Sequence, residues 1–278
     1  MGSTENTARS LVGCLRLRFA YAKGRTILTD AVRAPPFHVQ RLLYLDRCWP
    51  DLAQAAVLNT TAGMFSGDRL ELAVDVASHA SVELTTPTST RVFAMDDGCA
   101  ESRTSIAVAP GGYLEFVSRP VILCRDAALR LRTSVTVGRG GRAAVGEVLA
   151  FGRAAAGERH CYRWLDQRTE LRYDGNIALT EALRIAREDG PDAVGVLGDA
   201  AVYGALHLLG VDSEMSSFVT QVRQMIDAQR HVMGGVSTLH GDASIAVRLL
   251  GSRPHAVYEA LRLVALEFRQ GLQRSPCH

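Results

Sequence analysis

Strict alternation of apolar and polar residues dominates the first two thirds of the chain. From Leu70 to Val76 every second residue is apolar, and the opposite face carries charged residues such as Glu71. The same two-residue period returns from Leu129 to Val137. Successive side chains of a strand point to opposite faces, so both segments are predicted to be half-buried strands.

Glycine-containing turns separate further segments of strand-like composition. Asp174-Gly175, between two such segments, is typical of a tight hairpin, and Pro110-Gly111-Gly112 and residues 138–141 are also turn signals. Further strands are predicted at 11–20, 81–86, 103–109, 112–118, 143–151, 162–173 and 177–185. The expected class is mainly β, with many short, mostly antiparallel strands in β-helix-like or meandering sheets.

The last third of the chain changes period. After a strand at 202–209, Asp212-Ser213 is predicted to cap a helix with apolar residues at three- and four-residue spacing. A hairpin around Gly241-Asp242 and a second helix opening near Pro254 give a β-α-β-β-α order. About two helices are therefore expected to cover one face of a small sheet. The predicted organisation is a flexible tail at 1–10, a β-rich domain at 11–190 and a C-terminal α+β subdomain at 191–278 packed on it.

Composition narrows the class of protein. The 278 residues are 47% hydrophobic and 22% charged, as expected for a globular protein with a core. A formal charge of +2 gives no field that would attract nucleic acid or an anionic membrane. Lys23 is the only lysine, and the arginines are scattered among acids along the sequence. No apolar run is long enough for a membrane span. Because the formal charge is also low, neither a membrane nor nucleic acid is an expected partner.

Signatures of catalysis and of tight metal binding are missing from the sequence. It contains no phosphate-binding loop, no Gly-x-Ser-x-Gly elbow and no His-Glu-x-x-His motif. Strand geometry separates the side chains of His160-Cys161, and Cys277-His278 is terminal. The six cysteines form no Cys-x-x-Cys pair and no export signal is evident, so reduced thiols in a cytoplasmic protein are expected.

Two glutamates, Glu147 and Glu181, each interrupt the apolar face of a predicted strand. A buried carboxylate is costly unless it is paired, protonated or in contact with water or an ion. Two interpretations stay open. One is an ion pair, for example with Arg153 or Arg172, and the other is an internal polar path suited to a divalent cation.

A series of short motifs runs in order through the chain. Prominent ones are Gly67-Asp68-Arg69-Leu70, Leu84-Thr85-Thr86-Pro87 and Gly146-Glu147-Val148-Leu149. Others lie at 24–29, 39–41, 90–93, 114–116, 151–153, 157–158, 235–237 and 247–248. Together they resemble the UreD (UreH) family of urease accessory proteins over almost the whole chain. Three departures are Asn59-Thr60-Thr61-Ala62-Gly63, where many relatives have His-Pro-Pro-Gly-Gly, Arg91 in place of the usual lysine, and the tail Ser275-Pro276-Cys277-His278.

The resemblance implies a non-catalytic, cytoplasmic scaffold that helps to insert nickel into urease. The implied partners are the urease apoprotein, UreF and, through UreF, the GTPase UreG, with a dimer within the accessory complex as a further expectation. Nickel would be cargo in transit, and no cofactor would be tightly bound. A nickel tunnel proposed in the family gives Glu147 and Glu181 a role and implies that Asp68 and Thr86 lie at or near the route.

Two alternatives belong to other classes of protein. An acid–base hydrolase would use Asp68 with Glu147 or Glu181 and would show sustained turnover of a substrate. A structural or adhesive β protein would have no metal role, and urease would then be activated normally without it. The many short strands also predict poor solubility when the chain is produced without a partner.

Overall fold

The alternating segments of the sequence become the strands of a computed structural model, which describes residues 10–211, 215–239 and 243–274. Most of the predicted tail at 1–10, the cap at Asp212-Ser213, the turn at Gly241-Asp242 and the terminal Cys277-His278 lie outside these residues. The described residues form the following seventeen strands and two α-helices: β1 (Val12–Ala22), β2 (Arg25–Ala34), β3 (Phe37–Val39), β4 (Ala53–Asn59), β5 (Arg69–Val76), β6 (Ser81–Thr85), β7 (Thr90–Val92), β8 (Ala100–Val108), β9 (Tyr113–Val117), β10 (Val121–Leu123), β11 (Ala128–Val137), β12 (Arg142–Ala150), β13 (Trp164–Tyr173), β14 (Asn176–Ala186), β15 (Val202–Leu209), α1 (Met215–Asp227), β16 (Val232–Thr238), β17 (Ser244–Gly251) and α2 (Pro254–Arg274).

Two sheets share a core between them. The first sheet has the strand order β14-β13-β11-β8-β5-β1-β2, and the second has the order β16-β17-β15-β12-β9-β6-β4-β3, with β7 and β10 paired beside β12. Buried side chains from both sheets meet in one cluster, including Leu17 and Val135 of the first sheet and Val82 and Leu114 of the second. The predicted class is confirmed: the chain is mainly β with a C-terminal α+β part.

The expected antiparallel pairing is wrong for the middle of both sheets. In the first sheet β1, β5, β8, β11 and β13 pair in parallel, and in the second β4, β6, β9 and β12 do the same. Antiparallel pairs lie towards the sheet edges, among them the hairpin of β13 and β14 predicted from Asp174-Gly175.

The reason is the path of the chain after each short turn. Residues 77–80 carry it from β5 in the first sheet to β6 in the second, and residues 109–112 and 138–141 do the same after β8 and β11. Each coil thus gives one strand to each sheet, and strands from successive coils run parallel, as in a β-helix. A short glycine-containing turn looks the same in sequence whether the chain pairs with itself or crosses to the other sheet.

The C-terminal helices lie on the outer face of the second sheet. Helix α1 contacts β16, and α2 crosses β15, β12 and β17. A Cβ atom at Gly204 of β15 would lie 2.4 Å from the side chain of Val257 in α2, so glycine is what allows this close approach. The helices cover one face of a sheet, as predicted, but that sheet is not a small separate one. Because β15 pairs with β12, strands β15, β16 and β17 belong to the ten-stranded second sheet.

Candidate functional site

A cavity of about 130 Å³ lies between the two sheets, large enough for several water molecules. Apolar side chains such as Phe116 and Leu131 form part of its wall. Hydroxyl groups form much of the rest, and they belong to Thr86, Thr88, Thr90, Ser102, Thr104, Ser118 and Thr133. Arg119 and Arg132 also line the cavity, but the guanidinium group of Arg119 lies over the ring of Tyr258 and that of Arg132 binds Asp166. The lining extends from the exposed Thr88 to Glu147, so it runs from the protein surface into the space between the sheets.

Glu147 is the one carboxylate in the wall of this cavity. It projects from β12 towards the first sheet, where its carboxylate accepts hydrogen bonds from the Thr133 hydroxyl and, at 2.7 Å, from Nε2 of Gln167. Burial raises the pKa of Glu147 and outweighs these two hydrogen bonds, which favour the charged form. Glu147 therefore has polar neighbours but no ion-pair partner among the described residues.

Glu181 of β14 has a different environment. Its carboxylate accepts hydrogen bonds from Arg248 at 2.9 and 3.0 Å and from the hydroxyl of Tyr203 at 3.0 Å. Burial acts to raise the pKa of Glu181, but the hydrogen bonds and charge of Arg248 prevail and lower it. Glu181 therefore forms an ion pair, which was one of the two interpretations of the sequence. Its partner is Arg248 and neither Arg153 nor Arg172.

The two arginines suggested from the sequence pair elsewhere. Arg153 binds Glu158 at 2.6 Å, and Arg172 binds Glu170 at 2.8 Å. Both are close to their partners in sequence, whereas Arg248 lies 67 residues from Glu181.

Further polar groups continue inward beyond the cavity. Thr104, Thr133, Thr169 and Glu181 occupy one register row across four strands of the first sheet. Burial lowers the pKa of the facing His207 to about 4, so its imidazole is neutral at physiological pH. Oε1 of Gln167, Oγ1 of Thr169 and Nδ1 of His207 are buried without a hydrogen-bond partner in the described protein. Such groups are usually satisfied by water or an ion.

Asp68 and Thr86 occupy separate positions. Thr86 lines the cavity, and its hydroxyl accepts a hydrogen bond from the Arg119 backbone amide at 2.7 Å. The buried Asp68 uses one oxygen to accept from the amide of Leu11 and the other from the amide of Phe65, both at 2.8 Å. Asp68 therefore closes the turn before β5 and does not line the cavity that holds Glu147.

No group of three or more histidine, cysteine, aspartate or glutamate side chains suited to holding a metal ion occurs within residues 10–211, 215–239 and 243–274. No helix in the described part of the chain is long and apolar enough to cross a membrane.

A second buried charged cluster, between the second sheet and α2, does not stand out in the sequence. Arg269 of α2 lies 2.6 Å from Glu83 and 3.5 Å from Glu115, and Asp46 is 4.0 Å away. Burial raises the pKa of Glu115, against the effect of Arg269. The available signal was a glutamate within the otherwise apolar run 113–117; it gave no indication of the partner on α2.

Comparison with known proteins identifies the family of the chain. The family model described as UreD urease accessory protein matches residues 12–278. The chain is 30% identical to urease accessory protein UreD 2 of Streptomyces griseus over 95% of this chain and 92% of that protein. It is 29% identical to urease accessory protein UreD of Haloarcula marismortui, over 90% and 83% of the two chains. A third relative, from Cupriavidus metallidurans, is 30% identical over 87% and 84%. The chain therefore belongs to the UreD family of urease accessory proteins.

Proposed function

We propose that this chain is a non-catalytic, cytoplasmic scaffold through which nickel passes on its way into urease. The observation that carries the proposal is the hydroxyl-lined cavity that leads from the exposed Thr88 to the carboxylate of Glu147. The membership of the chain in the UreD family supplies the link to urease maturation.

The chemistry of the lining suits passage of a hydrated divalent cation. Hydroxyl oxygens can accept hydrogen bonds from protein donors or from the water molecules that surround a cation. Such contacts do not hold the cation tightly. A single carboxylate at the inner end attracts the cation, and sparse ligands allow it to leave again. A nearby divalent cation also favours the charged form of Glu147, whose pKa burial raises.

The proposed partners are those implied by the family: the urease apoprotein, UreF and, through UreF, the GTPase UreG. In this scheme the chain binds urease and UreF at its surface, and the cavity forms part of the path between them. Glu147 and Thr86 contribute to the passage, and Glu181 with His207 extends its polar wall. Asp68 supports the turn that leads into β5.

The proposal predicts that Glu147→Gln reduces the nickel content and activity of urease while complex formation persists. Glutamine keeps the shape of the side chain but removes its charge. Burial raises the pKa of Glu147 above the ordinary carboxyl value. A raised pKa contributes stability below the ordinary carboxyl pKa, and this contribution is lost as the pH rises through the raised value. The substitution should therefore not lower the free energy of unfolding at neutral pH. Urease from co-expression should be assayed for nickel and for bound accessory proteins.

The matched control is Glu188→Gln, which neutralises an exposed glutamate just after β14. It should leave nickel loading unchanged. Normal nickel content with Glu147→Gln would exclude a role of this carboxylate in the passage. Loss of the complex together with loss of nickel would indicate a structural role instead.

A further inference from the structure

The outer face of the first sheet is uncovered in the described part of the chain. Both helices pack on the second sheet, and the side chains that the first sheet turns away from the core face outward. Parallel pairing aligns β5, β8, β11 and β13 in register, so residues far apart in sequence form straight rows across the sheet.

Two adjacent rows collect a surplus of arginine. One row aligns Arg69, Glu101, Arg130, Asp166 and Arg184, and the next aligns Glu71, Arg103, Arg132 and Arg168. We call these two rows the basic ladder. Six arginines against three carboxylates give it a formal charge of +3, more than the +2 of the whole chain.

The ladder does not neutralise itself. Arg103 pairs with Glu101 at 2.7 Å. Asp166 is shared by Arg132 at 2.7 Å and by Arg130 and Arg168 at 3.7 Å each, and hydrogen bonding by Arg132 lowers the pKa of Asp166. Arg69 and Arg184 are exposed and have no carboxylate partner among the described residues. Guanidinium groups are thus left free to bind carboxylates of another molecule.

We propose that the basic ladder is a docking surface for an acidic face of a partner protein. Neighbouring residues within a row lie on adjacent strands about 4.8 Å apart, close to the spacing of about 5–6 Å between neighbouring side chains on a helix face. The interspersed carboxylates suit a partner with matching positive groups and repel a continuous phosphate backbone. Neither row contains an aromatic residue on which a base could stack.

The test uses the full chain and a labelled polyglutamate peptide as the acidic probe, followed by fluorescence anisotropy. Reversing three ladder charges, with Arg103→Glu, Arg168→Glu and Arg184→Glu combined, should weaken peptide binding by about tenfold or more. Binding to the unaltered chain should also fall as salt increases from about 20 to 200 mM. A second variant with glutamine at the same positions covers the case in which charge reversal disturbs folding.

The control combines Arg41→Glu, Arg223→Glu and Arg253→Glu, exposed arginines outside the ladder, and changes the formal charge by the same amount. It should bind the peptide nearly as well as the unaltered chain. Equal losses in both combinations would show that net charge alone is responsible and would overturn the proposal. Tighter binding of duplex DNA than of the peptide, lost with the ladder variants, would assign the face to nucleic acid and overturn it as well.

Discussion

At the scale of single residues, Glu147 and Glu181 differ because of what surrounds them. Glu147 meets only neutral donors, so burial raises its pKa, whereas Arg248 holds the pKa of Glu181 below its ordinary value. One carboxylate therefore lies in the wall of the cavity without a cationic partner among the described residues. The other is already paired, with the neutral His207 close by at 4.0 Å.

Arg248→Met should destabilise the fold by about 2 kcal/mol at neutral pH, because Glu181 would lose two charged hydrogen bonds in a mostly buried position. The lowered pKa of Glu181 contributes stability above the ordinary carboxyl pKa, and this contribution is lost as the pH falls through the lowered value. The difference in the free energy of unfolding between Arg248→Met and the unaltered chain should thus become smaller in acid. Urea unfolding of Arg248→Met, Glu181→Gln and the double variant measures the coupling; additive effects would contradict it.

At the scale of elements, α2 is tied to the second sheet by both packing and charge. Val257 packs against Gly204 and Gly251, and the buried Arg269 reaches Glu83 and Glu115 on two neighbouring strands. The row that carries the two glutamates also includes Gln54, whose amide donates to Glu83 at 2.6 Å. The helix position is therefore specified more narrowly than apolar contact alone would require.

Arg269→Met should lower the free energy of unfolding by about 3–5 kcal/mol, because Glu115 would be left buried without a cation. The control is Arg262→Met on the same helix, which breaks an exposed pair with Glu259 and should cost about 0.5 kcal/mol or less. Thermal and urea unfolding provide the measurement. Similar losses for both variants would mean that the buried cluster contributes no more than a surface pair.

At the scale of the whole molecule, the edge strands of both sheets pair on one side only within residues 10–211, 215–239 and 243–274. The first sheet ends at β2 and β14, and the second at β16 and β3. Unpaired strand edges with apolar side chains favour association with other chains. On β2 this applies to Val32, which is 53% exposed. These edge strands give a physical reason to expect poor solubility when the chain is produced alone.

Val32→Lys should increase the soluble, monomeric fraction of the chain produced without partners, because a charge on an edge strand opposes strand addition. The comparison is Val194→Lys, which adds the same charge at a fully exposed residue outside any strand. Size-exclusion chromatography with light scattering distinguishes the two. If the soluble, monomeric fraction increases equally in both variants, added charge rather than the β2 edge explains the effect.

Sequence alone indicated twelve of the seventeen strands, the mainly β class, the helices of the last third and the family, but it did not predict β2, β3, β4, β7 and β10. These features depend on local periodicity and on short motifs, which need no knowledge of distant contacts. The inward position of Glu147 and Glu181 followed in the same way, because alternation fixes the face of each side chain. Thr86 was reached through the family motif, and it lines the cavity.

Only the tertiary structure decided the direction of strand pairing, the partners of the buried charges and the surface charge pattern. Arg248 meets Glu181, and Arg269 meets Glu83, across long separations that no local pattern encodes. Likewise, arginines scattered along the sequence gather into the basic ladder because parallel coils place successive strands in register. Pairing between distant strands sets the register, and register determines which polar groups share the interior or the outer face.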